Sequence, residues 1–379
     1  MSRKKIARII FLIILLLAVA DFIWFRPTSI DVGIRSDNHR NERRINENTP
    51  YLEKEQKLSV ASDDINELLI NNPYGSVKIE GAEVDDIKIE AELMVYGKTE
   101  EKIEEIIDQV HFRDKNRGGE LEIGIMYGEL PEEVWGIIID YKIIAPKRLA
   151  VDLHSSKYVA VDNFTGPVKV DHSGLGTKDF KIADARKDDY INISKISNIK
   201  NDVTIKSHFA AIEIDNIEGH LKVHPAFSNI VVDSVKGNLS MRSEQSKVNF
   251  NDIEGDITAF SSFGKIEAND INGDLKAELK HSPVTANVTG EIELDVNFSP
   301  VKLYDLAGDV DINSYHSSVD IYSALNHKLD IVTEHGSIIA HNLQLSVEKD
   351  NNHRRLIGNV GSGEYELEID TEFGDVTFN

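Results

Sequence analysis

Cysteine is absent from the 379 residues. That excludes disulfides, thiolate metal sites and a cysteine nucleophile. It suits an exported protein without requiring export. Aromatic residues are scarce, 7% against 41% hydrophobic overall, a mix suited to many small aliphatic layers rather than one globular centre. Positive charge is also short: 42 basic residues face 65 acidic ones, a net charge of −23. A body this acidic repels nucleic acid as a whole, so no nucleic-acid partner is expected. No G-x-S-x-G, H-E-x-x-H or phosphate-loop pattern occurs, so no motif names a reaction.

What the chain does have begins with "MSRKKIARIIFLIILLLAVADFIWF". A basic run precedes an apolar one, and Ile6 to Phe25 is long enough to span a bilayer, with Arg8 able to snorkel. Residues 1–26 therefore read as an N-terminal transmembrane helix. The basic flank places the amino terminus in the cytoplasm and the body outside. The alternative is a signal peptide cleaved near Ala20, because "AVA" matches a small-residue cleavage site. Residues 27–66 are polar and without sustained periodicity, and read as a flexible stalk.

The body repeats itself. An aliphatic residue stands two before a glycine at Ile217, Val235, Ile253, Ile271, Val288 and Leu306. A second aliphatic mark recurs at Ile212, Ile230, Val248, Ile266, Val284, Val301 and Val319. Both advance by eighteen, with a single seventeen around Val284. Within each period apolar and polar residues alternate, as in Ile266, Ala268, Ile271, Leu275, Ala277 and Leu279, which predicts two short half-buried strands. Asn, Asp and Gly in "NDIEGD" and "NDINGD" supply the turns. Eighteen residues cannot bury a face alone, but stacked repeats make one continuous core. The expected fold is all-β, a right-handed parallel β-solenoid of about 18 residues per coil over residues 146–347. A left-handed helix of three hexapeptides and a pair of stacked β-sandwiches are the alternatives.

Three before the second mark stands a column of rings: Phe209, Phe227, Gln245, Phe263, His281, Phe298, His316 and His335, echoed by Tyr74 and Phe373. Because 281 continues the alternation of Leu275, Ala277 and Leu279, the column is expected to turn inward at a corner and stack there. Buried, neutral His281, His316 and His335 would then cost stability on protonation below about 6.5. A metal site needs several converging ligands, and Phe298 interrupts the histidines. His154, His172, His281 and His316 each precede serine, but strand neighbours point to opposite faces and cannot act as nucleophile and base. Recurring Asp252, Asp256, Asp270, Asp274, Asp305 and Asp309 fit turn chemistry better than calcium binding. No catalytic, cofactor-binding or metal-binding residue is assigned, and no cofactor is expected.

Open ends need caps. Residues 67–145 read as a small α+β capping region, with an amphipathic helix at "KTEEKIEEIIDQV" (98–110), and residues 348–379 as a C-terminal cap. "DYKIIAPK" entering the repeat, "VDNFTGPVKV", "FSSFGKIEANDINGDLKA" and the closing "EFGDVTF" together resemble a bacterial family of adhesin-like β-strand-repeat envelope proteins, over about residues 68–379. The resemblance implies a parallel β-solenoid at the cell envelope and carries over no site residues. The function expected is a non-enzymatic, membrane-anchored extracytoplasmic adhesin-like or scaffold protein. Candidate partners are the membrane, through the N-terminal helix, and a cell-wall polymer, glycan or envelope protein. Alternatives are a carbohydrate-active lyase or glycosidase on a β-helix, or an accessory of envelope-stress signalling.

Overall fold

The computed structural model describes residues 49–107, 111–126, 133–173, 194–340 and 343–379. The apolar segment 1–26 and most of the expected stalk lie outside the described residues. Among the described residues no helix is long and apolar enough to cross a membrane.

Alternation builds the body, as the repeat predicts. In Ile257–Ser262 the side chains of Ile257, Ala259 and Ser261 are buried while Thr258, Phe260 and Ser262 face out. In the following strand Ile266, Ala268 and Ile271 are buried. Through the repeats, successive strands alternate between two sheets, which hold fifteen and sixteen strands among the described residues. Each strand pairs in parallel with the one a period away. Ile257–Ser262 lies between Leu239–Glu244 and Leu275–Lys280, and Lys265–Ile271 between Lys247–Ile253 and Val284–Val288. One strand from each sheet makes a rung. In-register stacking turns each inward position into a buried aliphatic column, such as Ile212, Ile230, Val248, Ile266, Val284, Val301 and Val319. Each such side chain contributes about 1.5–3 kcal/mol by leaving water. The glycine column sets how closely the turns approach: a Cβ on Gly273 would lie 2.3 Å from the Gly255 carbonyl oxygen.

The expected boundaries shift at both ends. Tyr51–Ala61, read from sequence as stalk, is a strand paired antiparallel with Asp86–Gly97 over eleven residues. Its less exposed face mixes Leu52, Leu58 and Val60 with Lys54 and Gln56, which hides the alternation in the sequence. In the expected capping region, Glu67–Asn72 and Val77–Ala82 pair in parallel with Ala150–Ser155 and Val159–Phe164. They are therefore already a rung. The helix there is Glu100–Ile107, and its predicted last turn falls outside the described residues.

Only the first part of the expected C-terminal cap, 348–359, lies at the end of the stack. Tyr365–Glu372 lies between Val310–Tyr315 and His327–Glu334, parallel to both, and Val376–Phe378 lies between Val319–Tyr322 and Ile338–Ile339. The chain leaves one rung open at 323–326, builds the next, and returns from the C-terminal side to fill the gap. The edge of His327–Glu334 is covered by His353–Asn359, antiparallel to it. Arg355 donates to Asp330 there through Nε at 3.0 Å and Nη2 at 2.7 Å.

Candidate functional site: an outward column of rings

From Phe209 to Phe373 each residue of the column follows the last residue of a strand in the sixteen-stranded sheet and stands at positive φ, from 48° at Gln245 to 62° at Phe373. Tyr74 does not, and is half-buried against the core. The left-handed conformation of the others is uncommon for any residue but glycine. It reverses the alternation at the corner, so the expected inward ladder is corrected. The rings point out. Phe209, Phe227, Phe263, Phe298 and Phe373 are 42–62% exposed, and His281, His316 and His335 are exposed too. The premise of buried histidines in this column falls with it.

The ladder itself stands, on the outside. Phe209 and Phe227 stack at 4.9 Å. After Gln245 the stack resumes through Phe263, His281, Phe298, His316, Phe373 and His335, with centroids 4.6–5.0 Å apart and planes within 4–15°. Phe373 stands between His316 and His335, where the returning C-terminal strand puts it. Tyr315 sets its ring edgewise against Phe298, His316 and Phe373, and His208 does so against Phe209 and Phe227.

The inward place belongs to the residue that follows. Ser228, Ser246, Ser282, Ser299 and Ser317 are buried. Ser282 Oγ donates to the Lys280 carbonyl at 2.9 Å and accepts from the Gly264 amide at 3.1 Å. Ser299 Oγ donates to the Asn297 carbonyl and accepts from the Ser282 amide, both at 2.9 Å. Ser317 repeats the pattern. On the rungs that carry serine here, one hydroxyl thus satisfies two backbone groups at the corner, while Ala210, Gly264, Gly336 and Gly374 take the same place elsewhere. A hydroxyl so engaged is a structural element rather than a nucleophile. At the opposite turn the Asp256 carboxylate accepts the Asp274 amide at 3.1 Å, and Asp274 accepts the Glu291 amide at 2.8 Å. These acidic turns are used by the backbone.

Outside the column, among the described residues, His172 and His327 turn inward, and His327 Nε2 lies 3.0 Å from the Gly308 carbonyl oxygen. His172 is 6% exposed; Nδ1 lies 3.2 Å from the Ser155 carbonyl oxygen and Nε2 3.4 Å from Ser194 Oγ. Nδ1–H donates to that carbonyl, which leaves Nε2 to accept from the serine. Burial pushes its pKa below the ordinary 6.5, opposed by the Ser155 carbonyl and Asp171. Among the described residues no group of three or more histidines and carboxylates is placed to hold a metal ion.

The surface feature of this corner is therefore a strip of ring edges, six rings long without interruption. Ring faces are covered by the neighbouring rings, and edges carry the positive end of the ring quadrupole. Edges, with the histidine nitrogens among them, favour oxygen atoms of a partner. The sequence column located the residues but not the side they face.

No family model matches the chain, and no curated protein matches it. Solved structures with a similar trace include a "putative cell adhesion protein" from Clostridium sporogenes, at 12% identity and TM-score 0.21, covering 86% of this chain and 99% of that one. A "putative adhesin" from Parabacteroides merdae has 12% identity and TM-score 0.35, covering 71% and 94%. A "putative lipid binding protein" from Parabacteroides distasonis has 11% identity and TM-score 0.29, covering 89% and 100%. These TM-scores are too low to carry fold or function across.

Proposed function

We propose that the chain is a non-enzymatic, adhesin-like or scaffold protein of the bacterial envelope, with an extracytoplasmic body that binds an extended partner along the ring column. In this reading the two sheets are the walls of a right-handed β-solenoid, the hand favoured for parallel crossovers. Residues 1–26 are its membrane anchor. The carrying observation is the column: six stacked, exposed rings from Phe263 to His335, spaced 4.6–5.0 Å. Contiguous exposed rings mark interaction surfaces. Their edges and the histidine nitrogens suit a polymer whose hydroxyl or carbonyl oxygens recur at roughly the rung spacing of 4.8 Å, which is a description of a glycan.

The test is co-sedimentation of the full chain with isolated cell-wall polysaccharide, with assay of the supernatant for released sugar. Saturable binding without release is expected. Binding should weaken in the combined variant Phe263→Ala, Phe298→Ala relative to a variant at the exposed Ile357, which stands in register with Asp330 rather than with a ring residue. Sugar release would make the protein an enzyme and overturn the reading. Failure of the wild type to bind would also overturn it.

A further inference from the structure

A second surface feature runs against the net charge. On the outer face of the second sheet, Lys206 and His224 are in register on the adjacent strands Val203–His208 and Leu221–Ala226. Lys222 shares the outward face of the His224 strand. Arg242 faces out from the next strand, Leu239–Glu244. Lys206, Lys222 and Arg242 are exposed and His224 is half-buried among them.

Many lysines of this fold meet a carboxylate, although among the described residues Lys88, Lys142, Lys236 and Lys302 stand singly without one. Lys169 meets Asp152, Lys195 meets Glu213, Lys247 meets Glu267, Lys276 meets Glu293 and Lys328 meets Glu366, each within 3.5 Å. Among the described residues Lys206, Lys222 and Arg242 have no such ion pair and no side-chain hydrogen bond. The field they produce registers at His224. Its pKa is pushed below the ordinary value first by burial and then by Lys222, Lys206 and Arg242. Carboxylates bound the cluster: Asp171 is in register with Lys206 on one side, and Glu244 lies at the end of the Arg242 strand. Next to it runs an open groove of about 550 Å³, whose wall includes Thr204, Lys222, Ser240 and Thr258. Asp202 and Asp256 also line it, but Asp202 and Asp256 accept the backbone amides of His220 and Asp274.

We propose that this strip is a binding site for a linear polyanion, a polymer bearing phosphate or carboxylate groups, laid across the strands so that successive anions meet Lys206, Lys222 and Arg242. Rungs are ~4.8 Å apart, so neighbouring charges on the polymer are engaged together. Cations left without internal carboxylate partners gain a counter-charge only from outside. At physiological salt the screening length is about 8 Å, so the local cations rather than the remote acidic surface set the field the polymer meets. The site lies apart from the six-ring column and stands or falls independently of the function proposed for it.

The experiment uses the full chain and fluorescently labelled inorganic polyphosphate and polygalacturonate, with neutral dextran and single-stranded DNA for comparison, read by anisotropy at about 50 and 200 mM salt. At least one polyanion should bind, dextran should not, and affinity should fall with salt as for about three neutralised charges. Binding of polyphosphate alone would assign phosphate, and of polygalacturonate alone carboxylate. The combined variant Lys206→Gln, Lys222→Gln, Arg242→Gln should lose about ten-fold or more in affinity at low salt, while Lys276→Gln, Lys328→Gln should change it little. Should the triple variant fail to fold, Arg242→Gln alone should weaken binding about three-fold. No polyanion binding by the wild type overturns the proposal. So does equal affinity of the variants, or preference for DNA over both polymers.

Discussion

Phe298 tests the corner most sharply, because two opposed terms meet in one residue. Its ring stacks on His281 at 5.0 Å and on His316 at 4.8 Å, while its backbone holds φ at +51°. Each stack contributes about 0.5–1.5 kcal/mol, so Phe298→Ala should cost about 1–3 kcal/mol. Alanine also keeps the left-handed strain, about 1–2 kcal/mol for an L-residue. Phe298→Gly loses the same stacks but sheds that strain, at an entropic cost of about 0.5–1 kcal/mol in the unfolded chain. Glycine should therefore be the more stable variant by roughly 0.5–1 kcal/mol. In an ordinary strand the order is reversed. Denaturant titration gives the ranking, provided the slopes agree. Hydrogen exchange at the amides of Ser282 and Ser299, which donate into the serine ladder, reads the same change locally. An alanine variant as stable as wild type would show that the stack contributes nothing. An alanine variant more stable than the glycine variant would show that the corner is not held left-handed.

Two further outcomes follow from burial and topology. His172 has its pKa lowered by burial, so the unfolded state takes up a proton first as pH falls. Its contribution to stability is complete above about 6.5 and is lost below it. Between pH ~7.5 and ~5.5 the melting midpoint of wild type should fall more than that of His172→Gln; parallel curves would refute this. Ending the chain after Gly363 removes the strand that lies between Val310–Tyr315 and His327–Glu334. The rung at 327–339 should then detach and be cut by protease at 323–326, while the rungs before 310 stay protected. An unchanged digestion pattern would refute the returning-strand topology.

How much of this was legible in the sequence differs from feature to feature. The period and the aliphatic columns were, because burial in a stacked sheet depends on side-chain alternation alone, and Ile217, Val235, Ile253, Ile271 and Val288 are all fully buried. The direction of the rings was not, because extending the alternation past Leu279 assumes that φ stays negative. The signal that could have corrected it lay one residue on. At the ring position Phe, His and Gln interchange, while the next residue is serine at 228, 246, 282, 299 and 317. A position that tolerates Phe, His and Gln is one open to water. A position restricted to serine, glycine and alanine, as at Ala210, Gly264, Gly336 and Gly374, is one enclosed by backbone, where a hydroxyl has both an amide and a carbonyl to satisfy. The return of the C-terminal strand left a fainter trace. In "EFGDVTF" Phe373 carries the ring of one more rung, and a ring column extends only where its neighbours leave a place. Its slot between His316 and His335, at 4.6 and 4.7 Å, is set by long-range pairing, on which local periodicity is silent. The unpaired cations at Lys206, Lys222 and Arg242 belong to the same class. Each looks like an ordinary surface residue in the sequence, and only the strand register brings Lys206, His224 and Lys222 together on neighbouring strands.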